Sequence, residues 1–176
     1  MLLNKEEIRK LIEEKQLISE FIDLETQLQP NGFDLTVRSI EMLKNRGEID
    51  FSNANRKLPQ TEEIKSLGFI YPNIPFWNLK QGTYLLTFNE VLKLPKNIAG
   101  ISNQRSTMMR CGVSSSIGFW DAGYEGRGKS LILVHNLSGL LLYQNARVSQ
   151  MFFFIVNDTE GYDGVFQKEG IDGSNE

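Results

Sequence analysis

One cysteine, Cys111, and one histidine, His135, stand among 176 residues. A single cysteine forbids an internal disulfide, so the fold must rest on its own apolar core, and a cytoplasmic setting is expected. The two residues also fall short of the three or four spaced Cys and His ligands of a zinc site, which excludes deamination built on such a zinc. Positive charge is scarce as well: 19 Lys and Arg against 22 Asp and Glu leave a net charge of -3. A general nucleic-acid surface would need clustered cations, so no nucleic-acid partner is expected. An anion could be held only by a few placed arginines or backbone amides. Long hydrophobic runs are missing too. The longest, Met151–Val156, is far too short for a bilayer. The N-terminus turns charged by Lys5, where a secretory leader would stay apolar.

What is present describes one globular domain over residues 1–176, with 40% hydrophobic and 23% charged residues. Asn4 followed by Glu7 has the spacing of a capping box, and Ile8, Leu11 and Ile12 follow at helical intervals, so a helix is expected over 4–18. From Gln29 on, short β-favouring runs alternate with turn residues: Phe33–Ile40, Gly82–Asn89, Ile98–Ser102, Lys129–Asn136 and Arg147–Val156. Many short, closely spaced strands predict a mainly β fold, a distorted β-barrel or jelly roll, with a core over about 28–156. Residues 43–80 hold three of the five prolines and predict a long excursion with at most short strands or helical turns. The segment from about 157 to 176 is rich in Gly and acidic residues and is expected to be mobile in the free protein.

Four polar stretches interrupt the strand pattern: Gln29–Leu35, Asn103–Gly112, Gly118–Gly126 and Asn145–Met151. In the second, Arg105, Ser106 and Thr107 stand together just after a strand; an arginine fork and two hydroxyls match phosphate oxygens. Taken alone, they equally fit an ordinary helix cap with a surface arginine. In the third, Asp121 lies on a Gly-rich turn between Trp120 and Tyr124, where a carboxylate could serve as a general base on water or simply close the turn. Arg147 and Gln150 in the fourth read most simply as polar residues leading into a buried strand. His135 and the Met108-Met109 pair fit packing roles, and Cys111 has no nearby base to make it a nucleophile.

Together and in order, these stretches resemble the family of trimeric dUTPases and dCTP deaminases. Gln-Pro-Asn-Gly-Phe-Asp-Leu (29–35) looks like its first motif. Arg105-Ser106 with Arg110 and Gly112 looks like the deaminase branch's Arg-Ser-Ser-x-x-Arg-x-Gly. Gly118-Phe119-Trp120-Asp121 with Tyr124 and Gly126 looks like the substrate hairpin Gly-x-Ile-Asp-x-x-Tyr-x-Gly. Arg147-Val148-Ser149-Gln150-Met151 looks like Arg-Ile-Ala/Gly-Gln-Leu. The resemblance runs from about Leu28 to Val156.

It implies a homotrimer with active sites shared between subunits. Arg105, Ser106, Thr107, Arg110 and Gln150 would hold phosphate, and Mg2+ would bridge the triphosphate, with Asp34 either orienting the ion through water or holding neighbouring residues. Asp121 would activate the attacking water. Tyr124 would pack under the deoxyribose, and Gly118, Phe119 and Trp120 would belong to the hairpin that reads the pyrimidine.

Two departures from the pattern bear on the reaction. The deaminase branch carries a glutamate three residues before an Asn on the strand after the hairpin; counting back from Asn136 lands on Leu133, which cannot shuttle a proton. The nearest upstream carboxylate is Glu125, and Gly126–Lys129 is about two residues longer than usual. The C-terminal Arg- and Gly-rich phosphate loop of common dUTPases is absent. Phe166-Gln167 resembles instead the Tyr-Gln element of deaminase-branch tails, which makes Phe166 and Lys168 candidate substrate contacts. The combination resembles archaeal-type dUTPases, so dUTP hydrolysis to dUMP and pyrophosphate is expected, with dCTP deamination or nucleotide binding without turnover as the alternatives.

Overall fold

A computed structural model of the chain describes residues 1–70, 73–116 and 118–171. Helix α1 (Lys5–Lys15) leads into β1 (Ile18–Ser19), the single turn α2 (Leu24–Gln27), β2 (Leu28–Gln29) and the long β3 (Gly32–Leu43). After the excursion strands β4 (Thr61–Glu63), β5 (Leu67–Ile70) and β6 (Ile74–Leu79) come β7 (Gly82–Lys93), β8 (Ile98–Gln104) and the five-residue α3 (Ser106–Arg110). The chain continues through β9 (Val113–Ser115), β10 (Gly118–Trp120), β11 (Glu125–Val134), β12 (Leu140–Tyr143) and β13 (Arg147–Ile155). The fold is mainly β, as the strand pattern predicts.

The capping box forms as the sequence spells it. The Asn4 side chain accepts from Glu6 N and Glu7 N, and Glu7 Oε2 accepts from Asn4 N at 2.8 Å. Ile8 and Ile12, one turn apart, bury the inner face of the helix. The helix ends at Gln16, whose backbone is left-handed and whose N–H returns to Ile12 O.

The main sheet runs β10-β8-β13-β3-β7-β11-β9, each pair antiparallel. Strand β3 serves both halves: Phe33–Thr36 pair with β13, whereas Val37–Glu41 pair with β7. Register shifts at Val37/Ser39, Arg147/Ser149 and Arg127/Lys129 add local twist and curl the sheet around its core. Phe33, Phe88 and Phe153 are fully buried inside that curl, with Ile8, Leu17 and Val134. In β11 the alternation is plain: Ser130, Ile132 and Val134 face inward, Leu131 and Leu133 outward. Within the excursion, β5 and β6 form a second small sheet with β12, Leu79 opposite Leu140. Among the described residues, no helix is long and apolar enough to cross a membrane.

Candidate active site

Adjacent antiparallel strands bring the first and fourth motifs side by side. Gln150 on β13 stands opposite Asp34 on β3 and opposite Asn103 on β8, and Arg105 follows the end of β8. Gly32 makes this approach possible: a Cβ there would meet Met151 O at 2.5 Å and Gln150 Nε2 at 3.1 Å. The Asp34 side chain is buried; its Oδ2 accepts from Arg147 Nη1 at 3.1 Å and forms an ion pair with Arg105, whose Nε lies 3.1 Å away. Arg147 Nη1 also donates to Thr26 O at 2.8 Å, and Arg105 Nη1 to Arg147 O at 3.3 Å. Burial pushes the Asp34 carboxyl above its usual range, against the pull of Arg105 and Arg147. Each guanidinium carries five N–H donors, so both arginines keep donors for an anion after fixing each other through Asp34. Ser106 opens α3, where its Oγ accepts from Arg110 Nη1 at 3.5 Å, and Thr107 is exposed beside it.

Behind this cluster lies a buried carboxylate that sequence reasoning missed. Glu90 on β7 accepts from Gln27 Nε2 at 2.7 Å, Thr36 N at 2.9 Å and Thr36 Oγ1 at 2.6 Å. Gln27 Nε2 also donates to Asp34 O, so the network braces both α2, which holds Arg147, and the strand that carries Asp34.

The motif expected as a hairpin is a turn between two strands that pair elsewhere, β10 with β8 and β11 with β7 and β9. This β10–β11 turn, called the hairpin below after its motif, frames a cavity of about 780 Å3, a size suited to a small ligand. Gly118, Phe119, Trp120, Asp121, Tyr124 and Gly128 line it from the hairpin, and Tyr162, Phe166 and Glu169 from the C-terminal segment. Leu43, Leu58, Pro59 and Thr61 close the far side from the excursion, with Leu85 and Lys129 beneath. Its hairpin wall depends on glycine. A Cβ on Gly118 would lie 2.5 Å from Trp120 Cζ3, one on Gly128 2.9 Å from Trp120 Cζ2, and one on Gly126 2.5 Å from Tyr124 Oη. The two aromatic rings therefore occupy room that three missing side chains leave. Tyr124 also packs edge-on against Tyr162 with ring centroids 5.7 Å apart. Burial, and then nearby Glu169, push its phenol above the usual range.

Asp121 closes the turn, its carbonyl accepting from Tyr124 N at 3.1 Å, and the residue is exposed on the cavity wall. Lys129 Nζ lies 3.2 Å from Glu41 Oε2 and 3.9 Å from Glu169 Oε1, and burial pushes the Glu169 carboxyl up.

The segment after β13 lies against the hairpin through Ile171. Lys168 contributes its backbone N–H to Glu125 O at 2.6 Å; Phe166, not Lys168, stands on the cavity wall among its described lining residues, with the Arg56 guanidinium 5.8 Å from its ring centre. Residues 172–176, the end of the tail expected to be mobile, lie outside the described residues. Leu133 stands on the outward face of β11 opposite Thr83 and Ser114. The extra length noted between Gly126 and Lys129 coincides with the register shift at Arg127/Lys129.

The structure thus makes two groupings: Asp34, Arg105, Arg147 and Gln150 around β3 and β13, and Gly118 to Tyr124 with Phe166 around the cavity. Among the cavity's described lining residues, none of Arg105, Ser106, Thr107, Arg110 or Gln150 occurs. An arginine-bound carboxylate and an aromatic hairpin pocket on a curled antiparallel sheet suit a small ligand with an anionic part and a flat ring.

Comparison with known proteins narrows that class. The chain belongs to the dCTP deaminase-like family, whose model matches residues 2–156. It is 44% identical over 171 residues to a protein of Archaeoglobus fulgidus named probable deoxyuridine 5'-triphosphate nucleotidohydrolase, covering 97% of this chain and 98% of the relative. A Methanosarcina acetivorans protein of the same name is 39% identical over 171 residues, 96% of this chain and 97% of its own. The Methanocaldococcus jannaschii deoxyuridine 5'-triphosphate nucleotidohydrolase is 35% identical over 144 residues, 81% and 88% of the two chains. Among solved structures, the 2'-deoxycytidine 5'-triphosphate deaminase of Agrobacterium tumefaciens shares the fold, with a TM-score of 0.66 at 19% identity over 88% of this chain. The chain spans about half of that deaminase, 48% of its length.

Proposed function

We propose that this chain hydrolyses dUTP to dUMP and pyrophosphate. The observation that carries the proposal is Leu133: near-full-length relatives bear the nucleotidohydrolase name, and the strand after the hairpin offers an aliphatic side chain where deamination at C4 would need a proton acceptor and donor. Phosphoanhydride hydrolysis needs neither at the base; it needs a placed water, neutralised phosphate charge and in-line geometry.

In this reading Arg105, Arg110, Ser106, Thr107 and Gln150 hold the triphosphate, and Asp34 keeps Arg105 and Arg147 in their working orientation. Asp121, on the exposed rim of the hairpin cavity, orients and deprotonates the attacking water. Tyr124 forms the floor for the deoxyribose, and the pyrimidine lies between the hairpin arms beside Gly118, Phe119 and Trp120. Phe166 shields the cavity from the tail side, and Lys168 serves the phosphates.

The donor set suits Mg2+ carried in by the triphosphate. Among the described residues there is no group of three His, Cys, Asp or Glu able to cage a metal, and Asp34 Oδ2 is engaged by two arginines, so Asp34 would reach the ion through water. When bound, Mg2+ neutralises phosphate charge and polarises the phosphoryl oxygens. A homotrimer with shared sites and a cytoplasmic setting complete the proposal.

Purified protein incubated with Mg2+ and either dUTP or dCTP, with pyrophosphate and ammonia assayed separately, tests it. Pyrophosphate from dUTP without ammonia from dCTP is expected. Ammonia release from dCTP that disappears in Glu125→Gln would make the deaminase assignment correct instead.

A further inference from the structure

Helix α2 is a single turn of four residues, and a lone turn is unfavourable by itself. Side chains fix its place. Asp23 caps it, Oδ1 accepting from Thr26 N at 2.8 Å. Gln27, buried at its last position, uses its whole carboxamide. Oε1 accepts from Ile22 N at 2.7 Å and Asp23 N at 2.9 Å, while Nε2 donates to Asp34 O at 2.8 Å and Glu90 Oε1 at 2.7 Å. Two donors and two acceptors exhaust the group. Glu90 in turn is anchored on β3 by Thr36 N and Thr36 Oγ1.

What α2 holds is an arginine. Thr26 O, an end carbonyl of the turn, accepts from Arg147 Nη1 at 2.8 Å and from Gln29 Nε2 at 3.0 Å. The backbone end of Arg147 is held from the residue beside Glu90. Asn89 Nδ2 donates to Thr36 Oγ1 at 2.9 Å and to Asn145 Oδ1 at 3.0 Å. Asn145, two residues before Arg147, has a left-handed backbone, and its N–H donates to Val37 O at 2.9 Å. Asn89 and Glu90 on β7 thus reach Arg147 from two sides: its backbone through Asn145, and its guanidinium through Gln27 and α2. Arg147 and Arg105 share the Asp34 carboxylate, so a shift in one carries to the other.

We propose that Gln27 and Glu90 are positioning residues for the arginine pair, latching α2 to β7 so that Arg147, Asp34 and Arg105 hold one arrangement. Placement gives a reason for a carboxyl at this point of β7. Burying it costs solvation that an apolar side chain would not lose, and the same strand buries Phe88 and Leu92. Its hydrogen bonds run to α2 and to β3, the elements that hold Arg147 and carry Asp34. A guanidinium is a planar fork, and it serves an anion well only when the fork is aimed. That these arginines meet a triphosphate rests on the dUTP hydrolase reading; that Gln27 and Glu90 place them does not.

Calorimetric titration of the full-length protein with inorganic triphosphate and Mg2+, and separately with deoxyuridine, tests the placement; KM and kcat for dUTP test its consequence. Gln27→Met keeps the volume and removes the carboxamide. Glu90→Gln puts an N–H donor where Gln27 or Thr36 needs an acceptor. Asp23→Ala loosens α2 from its exposed end, without touching the core, and Asp23→Asn restores a cap. Gln27→Met and Glu90→Gln should each bind triphosphate about tenfold more weakly, the scale of one lost charge-assisted contact. KM for dUTP should rise alike with a smaller change in kcat, the pattern of lost binding rather than lost chemistry. Deoxyuridine affinity should stay as in the wild type. Asp23→Ala should move in the same direction and Asp23→Asn should not, which decides the matter if Gln27→Met fails to fold. Wild-type triphosphate affinity in the folded variants overturns the proposal. So does an equal loss of deoxyuridine affinity, the mark of general loosening, or a wild type that binds no triphosphate. Triphosphate binding that behaves as stated in a protein unable to hydrolyse dUTP would instead sink the functional reading and leave the latch standing.

Discussion

Replacing Gly118 by alanine adds one methyl group, and the hairpin has nowhere to put it. The new Cβ would sit 2.5 Å from Trp120 Cζ3 and 3.2 Å from Cζ2, whereas carbon atoms rest at about 3.5–4.0 Å. The indole would have to retreat by about 1 Å, following the same spacing. Retreat is blocked, because the ring already lies over Gly128, where a Cβ would meet Trp120 Cζ2 at 2.9 Å and Nε1 at 3.1 Å, and Trp120 is buried. Over-packing of this kind costs about 1–3 kcal/mol. In a chain of this size each kcal/mol lowers Tm by about 2–4 °C. Thermal melting of Gly118→Ala should therefore show a drop of several degrees, and KM for dUTP should rise because the displaced ring intrudes on the cavity. Gly68→Ala is the control, since nothing lies within 4 Å of its Cβ. If Gly118→Ala melts and turns over dUTP like Gly68→Ala, the glycine frame does not shape this site.

Two further outcomes follow. Asp121→Asn should keep the fold and nucleotide affinity but lower kcat by about 100-fold or more, the range for a lost general base; near-normal turnover would remove Asp121 from the chemistry. Burial pushes Glu90 above the ordinary glutamate range, with its hydrogen bonds to Thr36 and Gln27 pulling against it. The folded protein therefore holds this proton more tightly than the unfolded chain. Glu90's contribution to stability is complete below the ordinary glutamate range and is lost as pH rises through its raised value. Denaturant unfolding at a series of pH values should show that decline in the wild type and a flatter profile in Glu90→Gln; parallel profiles would refute it.

What the sequence made legible was local. The Asn4 and Glu7 spacing is a complete statement of its own hydrogen bonds, and the inward alternation of Ser130, Ile132 and Val134 needs no partner to be read. The excursion was harder, because β6 finds its second neighbour in β12, with Asn78 opposite Leu141; no window of sequence contains that pairing. The contacts of the tail were hidden for a related reason. Its glycine and acid content describes a segment with little apolar surface to bury, yet its hydrogen bonds go to backbone groups some forty residues away, such as Gly123 O and Glu125 N. Glu90 gave no signal: a glutamate inside an apolar strand declares itself only when Thr36 and Gln27 are seen around it. Among the motif residues, Arg147 looked like an ordinary polar lead into a strand and is instead bound to Asp34.

The separation of the two groupings carries the last prediction. One part of the proposed machinery, Arg105, Ser106, Arg110 and Gln150, belongs to the elements around β8, α3 and β13; the other, Asp121 with Tyr124, belongs to the hairpin cavity, whose described lining includes none of the first. A triphosphate tethered to a nucleoside must touch both sets at once, and a neighbouring copy can supply what one chain's cavity lacks. Light scattering should then give about three times the 20.1 kDa chain mass. Complementation probes the sharing itself. Asp121→Asn chains lack the proposed base, and Arg110→Ala chains lack a proposed phosphate ligand that is exposed and, among the described residues, donates to Ser106 Oγ at 3.5 Å, so both changes fall on exposed side chains. Each variant alone should be nearly inactive. Co-assembled from a denatured mixture, they should regain activity, because an Arg110→Ala subunit's intact hairpin can meet an Asp121→Asn subunit's intact arginine set at a mixed interface. A fully active monomer, or a co-assembled mixture no more active than its parts, would mean that each chain builds its site alone.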